Sequence, residues 1–374
     1  MNRQKVLVSA AVLAAVAGAA VAAELEGVVE KVGNIEVCHS PKVELVAIVC
    51  RLAGVPGYVW NDPGKSRFAD YDADIAKWFA PYAKEPAVLR FRCLCQKYGN
   101  AYDSPMSLAM HLKDDMSGFL VPMKPIPPRC SRGLEPVCNE METIRRELVD
   151  FRRKSRFDKF YTAHRPKYKK ALEPVVRDLK WMKLDKWLRD YYGPQTTSNR
   201  YRVVVCSIIF SHNYGCSVEL ADGSTLYTPV TSCGSGTLPH EFSHGFTDSI
   251  SDRILLRELP RDGEVYAFLW HHFEKVRKQM ENQAYGCLLA YWRETFVRAN
   301  EMRFVIGLGG VEQTERAQQY EERNGFALVR MLSGALEIYE RNRKDYPTLA
   351  DFAPEIVKTL SVAAKAKGFG RSQK

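Results

Sequence analysis

The chain has 374 residues but no Cys-x-x-Cys pair, so a thiolate-built zinc site of the common kind is not expected. Histidine is scarce, with eight in all. No low-complexity tract or internal repeat occurs. Beyond residue 23 no run approaches the roughly 18 apolar residues of a spanning helix. No stretch interleaves basic with aromatic side chains in the manner of a single-stranded nucleic-acid binder. The net charge of +10 is spread over residues 144–190 and the tail from Lys365 to Lys374. That spread reads as solvated helix faces, and nucleic acid is not an expected partner.

What is present begins with an export signal. Arg3 and Lys5 precede an apolar, Ala-rich run from Val6 to Val21, and Ala20-Val21-Ala22 supplies small residues for cleavage after Ala22 or Ala23. Residues 1–23 read as a signal peptide with no lipobox, which predicts a secreted or periplasmic protein. In an oxidising compartment the even count of ten cysteines predicts some disulfides. Cys130/Cys138 and Cys206/Cys216 are the plausible local pairs.

The remaining chain divides, on the sequence, into three parts. Residues 24–134 form a mainly helical N-terminal region, ending in a proline-rich stretch (Pro122, Pro125, Pro127, Pro128). Residues 135–364 form a second domain, and 365–374 a mobile basic tail. Ser40-Pro41 opens a helix that Gly54 closes. From Pro136 to Asp190 long charged helices are expected, broken near His164–Pro166. Tyr201–Phe210 reads as a buried strand, and Asp222-Gly223 joins two short strands in a hairpin. The expected fold is α+β: a small antiparallel sheet, then a helix starting near Pro239 with Thr237 as its cap, then a helical C-terminal subdomain.

That helix carries His240-Glu241-Phe242-Ser243-His244. Positions i and i+4 share a helix face, so His240 and His244 can aim at one metal ion. Glu241 sits one step round, in reach of a water on that ion without ligating it. A catalytic zinc keeps three protein ligands and an open position. No third histidine follows at metzincin spacing, and His271 and His272 are adjacent, so at most one could contribute. A carboxylate is the expected third ligand: Glu294 first, with Glu264 and Glu301 behind it. Arg298, one turn beyond Glu294, could hold it or bind substrate; an ordinary i,i+4 surface pair is the bland alternative. Tyr285, Arg298 and Tyr320 are the choices for a donor to a developing oxyanion. Residues 213–218 are a candidate edge strand for an extended peptide.

These residues carry a resemblance. The His-Glu-x-x-His segment, the strands before it and Glu294-Thr295-Phe296-Val297-Arg298-Ala299 are similar to zincin metallopeptidases of the glutamate-ligand (gluzincin) type. The chain lacks the Asn-Glu and Glu-x-x-x-Asp settings of the better-known gluzincins. It also resembles an uncharacterised family of exported bacterial proteins with a domain of unknown function, through the same segments, Gln283-Ala284-Tyr285-Gly286, and Tyr339-Glu340-Arg341-Asn342-Arg343 before Tyr346-Pro347. The zincin resemblance implies Zn2+ held by His240, His244 and Glu294, Glu241 as general base, and a peptide or protein substrate. Two other functions stay open: an envelope binding or scaffold protein with a structural or vestigial zinc, and a zinc amidase acting on a non-peptide amide.

Overall fold

The computed structural model describes residues 27, 29–59, 69–122, 134–196, 198–209, 213–232, 234–309 and 311–369. The expected signal peptide, Cys130, the side chain of Cys138 and the end of the basic tail lie outside these residues. The described fold is α+β and mostly helical. It separates into two compact units: Met1–Leu179 with Arg200–Ser235, and Lys180–Asn199 with Gly236–Lys374.

In the first unit, β1 (Val29–Val32) and β2 (Ile35–Cys38) form an antiparallel ribbon. The helices are α1 (Pro41–Ala53), α2 (Ala69–Phe79), α3 (Pro86–Tyr98), α4 (Ser104–His111), α5 (Leu134–Lys154) and α6 (Phe157–Met182), whose last turn passes into the second unit. The strands β3 (Arg200–Val205), β4 (Asn213–Tyr214), β5 (Ser217–Glu219), β6 (Thr225–Tyr227) and β7 (Val230–Thr231) complete it. β2 runs parallel to β3, and β3 parallel to β6 and β7. The sheet is therefore mixed, not the antiparallel sheet expected. A parallel pair needs a long crossover, and the helices between Cys38 and Arg200 supply it. That pairing also binds the N-terminal helices and the sheet into one unit. The hairpin is as expected: β5 and β6 are antiparallel, and Gly223 takes a φ of 80°.

α1 starts at Pro41 and ends at Gly54, which has the left-handed conformation, although Ser40 makes no side-chain cap. The long helices break at Ser155–Arg156 and at Lys183, not at His164–Pro166. Arg156 and Lys183 both have positive φ, and Pro166 and Pro174 lie inside α6. A proline in a helix interior costs about 3 kcal/mol; burial of Phe157, Phe160, Tyr161, Tyr168 and Leu172 along α6 offsets it. Cys206 and Cys216 are both free thiols and form no pair. The Cys206 Sγ lies 3.6 Å from a Glu44 carboxylate oxygen, and the Cys216 Sγ lies 4.0 Å from the Ser107 hydroxyl.

The second unit comprises α7 (Leu184–Tyr192), α8 (Leu238–Arg253), α9 (Glu264–Asn282), α10 (Leu288–Leu308), α11 (Val311–Arg323), α12 (Val329–Arg341) and α13 (Leu349–Ala366). α8 and α10 pack on one another. The fully buried Trp292 donates its indole N–H to the Ser251 carbonyl (3.1 Å), and Arg293 holds Asp252 (2.5 Å). On another side of α8, Tyr192 stacks on Phe246 and donates to the Ser243 hydroxyl (2.7 Å). These contacts fix the rotation of α8 about its axis, and with it the directions in which His240 and His244 point. None of the described helices is long and apolar enough to cross a membrane.

Candidate metal centre

Pro239 occupies the first turn of α8, where a missing N–H leaves no intrahelical bond unmade. Thr237 precedes the helix but makes no side-chain cap. One turn in, His240 and His244 share a face, with ring centroids 5.0 Å apart and planes at 76°. α10 brings Glu294 against both. One Glu294 oxygen lies 3.4 Å from His240 Nε2, and the other 3.7 Å from His244 Nε2. Among the described residues these three form a group whose ligand atoms lie close enough together to hold a metal ion.

The donor set fits a divalent ion. Ligand bonds of about 2.0–2.1 Å in a tetrahedral shell place ligand atoms about 3.3–3.4 Å apart, close to the spacing seen. The other ring nitrogens are engaged elsewhere. His240 Nδ1 donates to Glu301 (3.0 Å), and His244 Nδ1 to Asp248 (3.0 Å). A carboxylate can only accept from these nitrogens, so each ring carries its proton on Nδ1 and turns Nε2 toward Glu294.

Glu294 is 2% exposed and has its own supports. Arg298 donates to one of its oxygens through Nε (2.9 Å), with Nη2 ion-paired to the same oxygen at 2.8 Å, and the Tyr285 hydroxyl also bonds to the carboxylate. Arg298 lies over the Phe326 ring and donates through Nη1 to Glu321 (2.9 Å). Both residues expected near an oxyanion, Arg298 and Tyr285, are therefore engaged with Glu294. Tyr320 is exposed on α11. Of the fallback ligands, Glu301 orients His240, and Glu264 accepts from Ser361 (2.7 Å) at the start of α9. His271 packs against Phe369 and His272 against Phe268. The strand residues 213–218 belong to β4 and β5 in the first unit, β5 bonding only to β6 among the described residues.

The electrostatics match a site that takes a cation. Burial raises the Glu294 carboxyl, but His240, Arg298 and His244 outweigh it and hold it down to about 2. Burial lowers both imidazoles, and the surrounding carboxylates more than reverse that. His240 is raised by Glu294 and Glu301, and His244 is raised to about 10, chiefly by Asp248. Without a metal, the carboxylates favour a proton on His244. Burial pushes Glu241 up, against the pull of His240 and His244. A buried carboxyl with a raised pKa beside the two histidines is suited to accept and return a proton.

Asp248 and Glu321 were missed by reading the sequence for ligands. Asp248 had a local signal, lying four residues after His244 on the same helix face. Glu321 had none, because only the packing of α11 brings it to Arg298.

A family described as a domain of unknown function (DUF4932) matches residues 35–359, and the chain belongs to it. No curated protein and no solved structure matches.

Proposed function

We propose that this DUF4932 member is a zinc-dependent hydrolase of the zincin type, cleaving peptide bonds in an exported setting, with His240, His244 and Glu294 as ligands. The observation that carries the reading is Glu241. A structural ion needs no general base beside it, yet Glu241 is nine-tenths buried one residue from His240, with its carboxyl pushed up by burial.

A bound zinc would supply Lewis acidity, lowering the pKa of a coordinated water and polarising a carbonyl. The chain's own residues do the rest. Glu301 and Asp248 keep both imidazoles in the Nδ1–H form, leaving the Nε2 lone pairs to the ion. Arg298 and Tyr285 fix the Glu294 carboxylate. Glu241 takes a proton as the nucleophile attacks and delivers it to the departing amine. Arg298 and Tyr285 are positioning residues in this scheme, and no oxyanion donor is assigned to them.

The test is metal analysis of the purified full chain after zinc reconstitution, together with cleavage of unfolded protein. About one zinc per chain and metal-dependent cleavage support the reading. No bound metal would sink it. One zinc without cleavage of any peptide or non-peptide amide would favour a binding or scaffold protein instead.

A further inference from the structure

Arg298 bridges two carboxylates on different helices, Glu294 on α10 and Glu321 on α11. All three side chains are largely shielded from water, at 18%, 3% and 10% exposed for Arg298, Glu294 and Glu321. Their charges are therefore screened much less than surface charges. Arg298 donates through Nε to Oε1 of Glu294, and its Nη2 is ion-paired to the same oxygen at 2.8 Å. The same oxygen lies 3.4 Å from His240 Nε2, and Oε2 lies 3.7 Å from His244 Nε2.

With Arg298 alone beside it, Glu294 would present almost no net charge to a cation. The arginine would fix the ligand and weaken it as a donor at once. Glu321 resolves that conflict by drawing Arg298 from the far side and restoring one net negative charge to the trio. We propose that Glu321 is a positioning residue that sets metal affinity through Arg298. This rests on the metal reading above. It adds an element, α11, that supplies no ligand.

The experiment measures zinc affinity by competition with a chromogenic chelator, using full-length wild type, Glu321→Gln, Arg298→Met and the double variant. Glu321→Gln should weaken zinc about 10–100-fold, the usual range for an outer partner of a ligand. In the Arg298→Met background the same change should cost no more than about threefold, because residues in one network are not additive. Equal losses in both backgrounds overturn the role through Arg298, as does unchanged affinity in Glu321→Gln. Wild type that binds no zinc overturns the metal reading and this inference with it. A melting temperature recorded without metal separates lost affinity from lost fold. If Glu321→Gln does not fold, Glu321→Asp, which keeps the charge but shortens its reach to Arg298, takes its place: a loss of zinc affinity that disappears in the Arg298→Met background supports the inference, and an equal loss in both backgrounds overturns it.

Discussion

His240 Nδ1 lies 3.0 Å from Glu301, and Glu301 stands seven residues beyond Glu294 on α10. Seven residues is about two helical turns, so the two acids occupy one stripe. A single helix thus presents one carboxylate to the Nε2 side of His240 and another to its Nδ1 side. The first is a candidate ligand; the second fixes the tautomer that makes His240 a ligand at all.

Removing that support should therefore weaken metal binding without removing a ligand. Glu301→Gln is expected to lower zinc affinity about 10–100-fold. Asp248→Asn should cost less, because Asp248 is 36% exposed against 22% for Glu301, and water can replace it. Chelator competition on both variants checks the order. Wild-type affinity in both would mean that the ring orientation is set by packing alone.

Glu241→Gln separates binding from chemistry. Glutamine keeps the shape but cannot take a proton, so zinc content should stay near wild type while cleavage falls about 10²–10⁴-fold. Metal analysis and a peptide-release assay on the same preparation give both readings. Loss of zinc in this variant would assign Glu241 to holding the ion.

Glu294→Ala should abolish stoichiometric zinc and also destabilise the metal-free chain. Arg298 keeps Glu321 but loses its acceptor on α10, and the Tyr285 hydroxyl loses its partner. A buried donor left unmatched costs about 1–3 kcal/mol. Urea denaturation measures the stability change and metal analysis the occupancy. Zinc retained in Glu294→Ala would move the third-ligand assignment elsewhere.

The candidate site was legible in the sequence where it depends on one helix. His240, Glu241 and His244 needed only the 3.6-residue period and a helix start at Pro239. Glu294 was reachable because it lies on strongly helical sequence with Phe296, Val297 and Ala299 beside it for packing. Arg298 was visible one turn on, but whether it faced ligand or substrate was not, since that depends on where Oε1 of Glu294 sits. The sheet was misread for a similar reason. Each strand is locally plain, but the parallel pairing of β2 with β3 joins residues more than 160 positions apart. No local pattern encodes such a partner. The uninterrupted course of α6 through Pro166 likewise comes from tertiary burial overriding a local breaker.

The metal-free chain should also show an inverted pH dependence at this site. His244 is buried, which opposes its charge, yet Asp248 and then Glu294 and Glu241 raise it to about 10. An imidazole in the unfolded chain titrates near about 6.5. The folded state holds the proton more tightly, so protonation stabilises it. That contribution is fully present below about 6.5 and is lost as pH rises toward about 10. Glu294 contributes nothing to the slope there, being ionised throughout, with its folded value near 2. Zinc needs the neutral ring and must displace the same proton. The melting temperature of the metal-free chain should therefore fall across this window, while the rise produced by saturating zinc should grow. Asp248→Asn should flatten the first slope by removing the carboxylate that holds the proton. Scanning calorimetry with and without zinc, at fixed ionic strength, measures both. A metal-free chain that becomes more stable as pH climbs through the window would show that the carboxylates do not hold a proton on His244.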